Sequence, residues 1–182
     1  AEDTKAGKVD IFISSDRLEA CKGKLVWTIT DVPGKRLRDG LVDVEIPART
    51  SLMAQSLPLQ DEIQKVGAKN LLVWLKLDIG GETVSDNMVT FVYPRDLDLC
   101  DPKLSPDVKE KNGKFAVTLK AEHPALWTWI ELEGVDARCS DNFVHVTKDS
   151  PVTITVQPAV RMTKKEFKKA LKVRSIFDTS AR

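Results

Sequence analysis

Ser85-Asp86-Asn87-Met88-Val89 recurs 55 positions later as Ser140-Asp141-Asn142-Phe143-Val144. Each copy follows an alternating apolar run, Leu71 to Ile79 before the first and Trp127 to Leu132 before the second, and each precedes another apolar stretch. Short polar side chains accept bonds from backbone N–H groups two residues on. Ser85, Asp86, Asn87 and Ser140, Asp141, Asn142 therefore read as polar corners between strands. A corner used twice predicts two copies of one kind of β-domain in tandem.

Working outward, Val9 to Ser14 alternates as a strand does, and Leu25 to Thr30 follows with Leu25, Trp27 and Ile29 on one face. Pro33-Gly34 supplies a fixed φ and then a permissive one for the next reversal. Leu41 to Ile46 is a third strand, Ser51 to Lys65 reads as a connection with at most one helical turn, and Met88 to Val92 follows the first corner. Pro94 to Pro102 frames alternating Asp and Leu, which predicts an extended, stiff link. That places the boundary between residues 1–98 and 99–182.

The second half repeats the grammar at shorter spacing. Asn112-Gly113 signals a hairpin. Lys114 to Lys120, Ala125 to Leu132, Phe143 to Thr147 and Val152 to Val156 read as strands. Thr163-Lys164-Lys165-Glu166 is a capping box opening one short helix, with Phe167 and Leu171 at i and i+4. The fold expected is all-β: two tandem immunoglobulin-like antiparallel β-sandwiches, with a short helix near the C-terminus.

Bulk properties exclude several functions. Twenty-eight basic against 27 acidic residues leave +1, without the concentrated basic stripe nucleic acid calls for. The lysines of 163–172 read as a solvated helix face. No apolar run approaches the ~20 residues of a bilayer span. The chain opens Ala1-Glu2-Asp3 with neither Met nor an apolar leader, so it reads as a piece of something longer. Cys21, Cys100 and Cys139 are scattered and odd in number; three unpaired thiols are expected, with one bridge as the alternative.

The residues then look familiar. Ser14 to Glu19 with Gly23 to Asp31, Asn87 to Pro94 with Leu97 to Leu104, and Ser140 to Phe143 with Phe167 to Asp178 resemble successive parts of glycoside hydrolase family 2 β-mannosidases. The likeness runs from about Val9 to Asp178. It implies the penultimate domain and the final immunoglobulin-like domain of such an enzyme, with exo-β-glucosaminidases as close relatives sharing the tail. The implied function is a non-catalytic C-terminal fragment that packs against and supports a catalytic barrel of the same polypeptide. The retaining enzyme's two glutamates would lie on that barrel, outside this chain. The resemblance also implies a periplasmic or secreted setting; the chain carries no Asn-x-Ser/Thr sequon.

No catalytic residue is expected within the chain. Retaining hydrolysis needs two carboxyl groups ~5 Å apart across a cleft, the barrel alone needs at least ~200 residues, and the family's Asn-Glu pair is missing here. His123 and His145 lack a second ligand at metal spacing, and the polar corners lack the further oxygens calcium wants, so no metal and no cofactor are expected. Three tryptophans remain unexplained. Trp74, and Trp127 with Trp129, fall on the faces opposite Val73 and Leu75, and opposite Thr128 and Ile130. Such rings need a cover: a protein interface is the first expectation, and a platform for sugar rings, as in an independent carbohydrate-binding or adhesion module, is the alternative.

Overall fold

The computed structural model describes residues 2–3 and 6–180. Two compact units divide the chain, Ala1–Asp98 and Leu99–Arg182.

In the first unit the elements run β1 Glu2–Asp3, β2 Lys8–Ser15, β3 Cys21–Asp31, β4 Arg36–Ile46, β5 Thr50–Pro58, α1 Gln60–Val66, β6 Leu71–Ile79 and β7 Glu82–Thr90. They form two antiparallel sheets of order β1-β2-β5 and β4-β3-β6-β7. Period-2 alternation makes the core: Val9, Ile11 and Ile13 of β2 and Leu57 of β5 meet Leu25, Ile29, Val44, Ile46, Leu71 and Val73 of the facing sheet. Trp27 is only partly buried. Its ring packs at the rim of this core beneath the Arg38 guanidinium, 5.5 Å from the ring centroid, and Arg38 also pairs with Glu62 at 3.0 Å. Opposite Trp27 in the ladder stands Gly40, whose bare Cα leaves the ring its space.

In the second unit β8 Ser105–Lys111, β9 Lys114–Lys120, β10 Ala125–Leu132, β11 Ala137–Cys139, β12 Val144–Val146, β13 Val152–Pro158, α2 Lys164–Ala170, β14 Leu171–Arg174 and α3 Phe177–Ser180 follow. The sheets have order β12-β10-β14 and β11-β13-β9-β8. Phe115, Val117 and Leu119 of β9 are buried in sequence with Ile154 and Val156 of β13, against Ile130 and Leu132 of β10. Phe167 of α2 closes this core by stacking on Phe115, with ring centroids 3.9 Å apart and planes at 11°.

The Thr163–Glu166 capping box is present. Thr163 N–H donates to Glu166 Oε2 at 2.7 Å, and Glu166 N–H donates to Thr163 Oγ1 at 3.3 Å. Thr163 Oγ1 also donates to Glu166 Oε2, at 2.8 Å, and the two bonds that the carboxylate accepts favour its ionised form and hold Glu166 below the usual range, the backbone bond first. A depressed folded-state value stabilises the fold above the unfolded-state value and is lost as pH falls through the folded one. Melting temperature should therefore drop more steeply below the ordinary glutamate range in the native chain than in Glu166→Gln. Parallel pH profiles of the two would contradict this.

Several expectations need correction. Ser85, Asp86 and Asn87 do not form a corner. They lie inside β7, opposite Leu77, Lys76 and Leu75 of β6. The reversal falls earlier, at Gly80-Gly81, where φ values of 64° and 88° make the twist-matched hairpin turn. Pairing with a nine-residue apolar neighbour overrides the local turn preference of Ser-Asp-Asn, and on an edge strand exposed polar side chains carry no burial cost. Likewise 51–65 is not a simple connection. Residues 50–58 are strand β5, paired along β2 with a bulge between Ile11 and Phe12 that breaks its alternation, and α1 follows. After α2, Leu171 does not continue the helix but starts β14, which pairs with β10. The two copies of Ser-Asp-Asn are thus not equivalent positions of a repeat, although the chain does hold two sandwiches.

Candidate functional site

Ser140, Asp141 and Asn142 do make a corner, between β11 and β12, and it builds the most distinctive surface of the protein. Ser140 exchanges bonds with Thr155: its N–H donates to the Thr155 carbonyl at 2.9 Å, and its Oγ accepts the Thr155 N–H at 3.0 Å. Asp141 Oδ1 accepts the Asn142 N–H at 2.7 Å. Asn142 then clamps β10 where that strand has run past β12. Its Oδ1 accepts the Ile130 N–H at 2.8 Å, and its Nδ2 donates to the Ile130 carbonyl at 3.1 Å. One side-chain amide replaces a missing ladder partner.

Asn142→Ala would leave both groups of Ile130 unpaired beside the core. A loss of about 2 kcal/mol is expected from the typical penalty for orphaned polar groups, read by urea denaturation. A change below a few tenths would contradict the clamp.

The clamp also sets the backbone of the next residue. Phe143 takes a left-handed backbone, φ 59°, and is 62% exposed. An aromatic residue in that region carries strain of ~1–3 kcal/mol and persists only where its surroundings impose it. Its ring lies near-parallel to Trp129, with centroids 6.0 Å apart and planes at 25°. Trp127 is also left-handed, φ 46°, at the bulge between Ala125 and Thr128. Its N–H donates to His145 Nδ1 at 3.2 Å, and the two rings meet edge-on at 5.2 Å. As an acceptor, Nδ1 carries no proton, so in neutral His145 the proton sits on Nε2.

The face is completed by β14. Register places Arg174 opposite Trp129 and Lys172 opposite Glu131. Arg174 pairs with Glu131, and Lys172 with Glu133 at 3.2 Å. Thr128, Ile130 and Leu132 point the other way and are buried. At β10 a cavity of about 380 Å³ is lined by Ile130, Leu132 and Val156 together with Glu131, Asp136 and Asn142. Cys139 also lines it, and burial raises its thiol above the ordinary cysteine value, the direction of an unreactive thiol.

The three singled-out tryptophans therefore part company. Trp127 and Trp129 share one face of the second unit. Trp74 belongs to the first unit, where it is half-buried beside fully buried Leu72 and donates from Nε1 to Thr30 Oγ1 at 3.0 Å. That face is already partly covered, and Trp74 reads as structural. The alternation of β10 already puts Glu131 on the face of Trp127 and Trp129, whereas sequence reading missed Phe143, His145 and Arg174 as members of the aromatic face. The alternation of 143–147 puts Phe143 and His145 in one phase, but nothing local shows that β12 lies beside the tryptophans. His123 lies elsewhere in the unit, its N–H donating to the Pro102 carbonyl at 3.3 Å. No disulfide joins Cys21, Cys100 or Cys139. Among the described residues no group of three or more His, Cys, Asp or Glu could hold a metal ion, and no helix is long and apolar enough to cross a membrane.

Comparison with known proteins respects the same boundaries. Residues 7–96 match the Mannosidase Ig/CBM-like domain family, and residues 99–179 match the Ig-fold domain family of mannosidases. The chain is a tandem of β-mannosidase immunoglobulin-like domains. Its mannosidase relatives include β-mannosidase A of Aspergillus aculeatus, 27% identical across 94% of this chain and 20% of that protein. β-Mannosidase A of Aspergillus flavus is 28% identical across 69% of this chain and 15% of its own length. Among solved structures, the β-D-mannosidase from Dictyoglomus thermophilum superposes on 93% of the chain and 20% of its own with a TM-score of 0.74 at 27% identity. The exo-chitosanase CsxA of Amycolatopsis orientalis, at 13% identity and a TM-score of 0.59, shares the fold. The mannosidase tandem thus spans about a fifth or less of the length of these mannosidase relatives.

Proposed function

We propose that this tandem is the non-catalytic C-terminal portion of a β-mannosidase-like glycoside hydrolase, with residues 1–98 as the penultimate domain and 99–182 as the last, and that it packs against and supports the catalytic barrel. The carrying observation is that two mannosidase domain families tile nearly the whole chain, while the chain matches only a fifth of the enzymes that bear the activity. The two reacting carboxyl groups of a retaining hydrolysis then belong to the remaining four-fifths. The tandem contributes packing surface.

A candidate surface for that packing lies on the outer face of the β1-β2-β5 sheet. Phe12 and Met53 stand opposite each other there, 56% and 58% exposed, on strands whose other face is core. An apolar cross-strand pair on a solvent face is the kind of feature a domain interface covers.

The test uses the complete reading frame that encodes this chain. Expression with and without residues 1–182 should show that removing the tandem lowers the melting temperature of the remaining enzyme and its yield of soluble protein. A remainder with unchanged stability and aryl β-mannosidase activity, or a reading frame holding no catalytic segment, would overturn the proposal.

A further inference from the structure

We infer that the outer face of the β12-β10-β14 sheet is a binding site for a neutral oligosaccharide chain, with Trp129 and Phe143 as its stacking surface. Two observations meet here. Two near-parallel rings stack with centroids 6.0 Å apart, and one of them is 62% exposed. Phe143 is held outward in a left-handed conformation by the Asn142 clamp rather than tucked inward, so the fold keeps an aromatic ring in water at a conformational cost.

Charge selects the ligand class. Both bases that β14 presents on this face are already paired with carboxylates of β10, Arg174 with Glu131 and Lys172 with Glu133. A phosphate or an acidic polysaccharide would have to break those pairs and meet the carboxylates unshielded. A pyranose ring instead presents a C–H-rich face that packs on an aromatic ring and an equator of hydroxyls that hydrogen-bond outward. The chemistry of the face is therefore that of a neutral pyranose chain.

The site is independent of packing on a catalytic domain, and the two proposals fail separately: one is read on the complete reading frame, the other on this chain alone. Only the choice of a mannan probe rests on the β-mannosidase reading. The chain would be titrated with β-1,4-mannohexaose, cellohexaose and a hexamer of galacturonic acid, following tryptophan fluorescence and calorimetry. Saturable binding of at least one neutral hexaose is expected, and none of the acidic one. Phe143→Asn should weaken that binding at least about tenfold with an unchanged or raised melting temperature, because Asn tolerates the left-handed region. Trp129→Ala should weaken it similarly. No binding of either neutral hexaose up to about 10 mM, tighter binding of the acidic hexamer, or binding that survives Phe143→Asn would each overturn the inference.

Discussion

Phe167→Ala is expected to destabilise the second unit by about 3–5 kcal/mol, the range for deleting a buried aromatic side chain. Phe167 is 0% exposed and stacks on Phe115, itself 1% exposed, so removal leaves a cavity with walls on both sides. It also frees α2, a helix of seven residues that is too short to persist without docking. Domains carry only ~0.05–0.15 kcal/mol of stability per residue, so a unit of this size would lose much of its margin. Urea denaturation checks the value. Phe167→Leu should recover most of the loss, since it restores volume without the ring contact. A Phe167→Ala penalty under about 1 kcal/mol would mean that α2 is not part of this core.

Gly40→Val should cost about 3 kcal/mol in the first unit, at the upper end of overpacking effects. A Cβ at position 40 would lie 2.3 Å from Trp27 Cζ2 and 2.6 Å from Cε2. Gly40 does not have a left-handed backbone, so the requirement is one of space rather than of conformation. Valine is otherwise the better strand residue, and its strand preference of up to ~1 kcal/mol opposes the clash. A net loss therefore measures the clash. The indole cannot slip aside freely, because Arg38 lies over it and is itself anchored by Glu62 and by the Pro58 carbonyl, which accepts from Nη2 at 2.6 Å. In a double-mutant cycle with Trp27→Leu, most of the valine penalty should vanish, giving a coupling above about 1 kcal/mol. Additive effects would contradict the contact.

These two sites show what was legible in the sequence. The alternation of Phe115, Val117 and Leu119, and the capping box before Phe167, pointed to strand and helix through local rules that the tertiary structure leaves intact. The phase of Trp127 and Trp129 against Thr128 and Ile130 was legible for the same reason. Gly40 was not, because its reason is a neighbour thirteen positions away across a ladder. Nor was strand β5, whose bulge hides its period, nor β14, four residues long and directly after a helix. The recurrent Ser-Asp-Asn pointed toward two sandwiches although only the second copy turns a corner. Identical tripeptides meet different fates when one is paired along a strand and the other must bridge two sheets. The aromatic face suffered most, since its members come from β10, β12 and β14 and only register brings them together.

The central claim is that this chain is the supporting, not the reacting, part of a β-mannosidase-like enzyme. Hydrolysis of an aryl β-mannoside by the purified 182-residue chain, assayed beside the protein from its complete reading frame, tests it most directly. Turnover by the longer protein and none by this chain is the predicted result. Turnover by the chain alone at a rate comparable to the longer protein would contradict it.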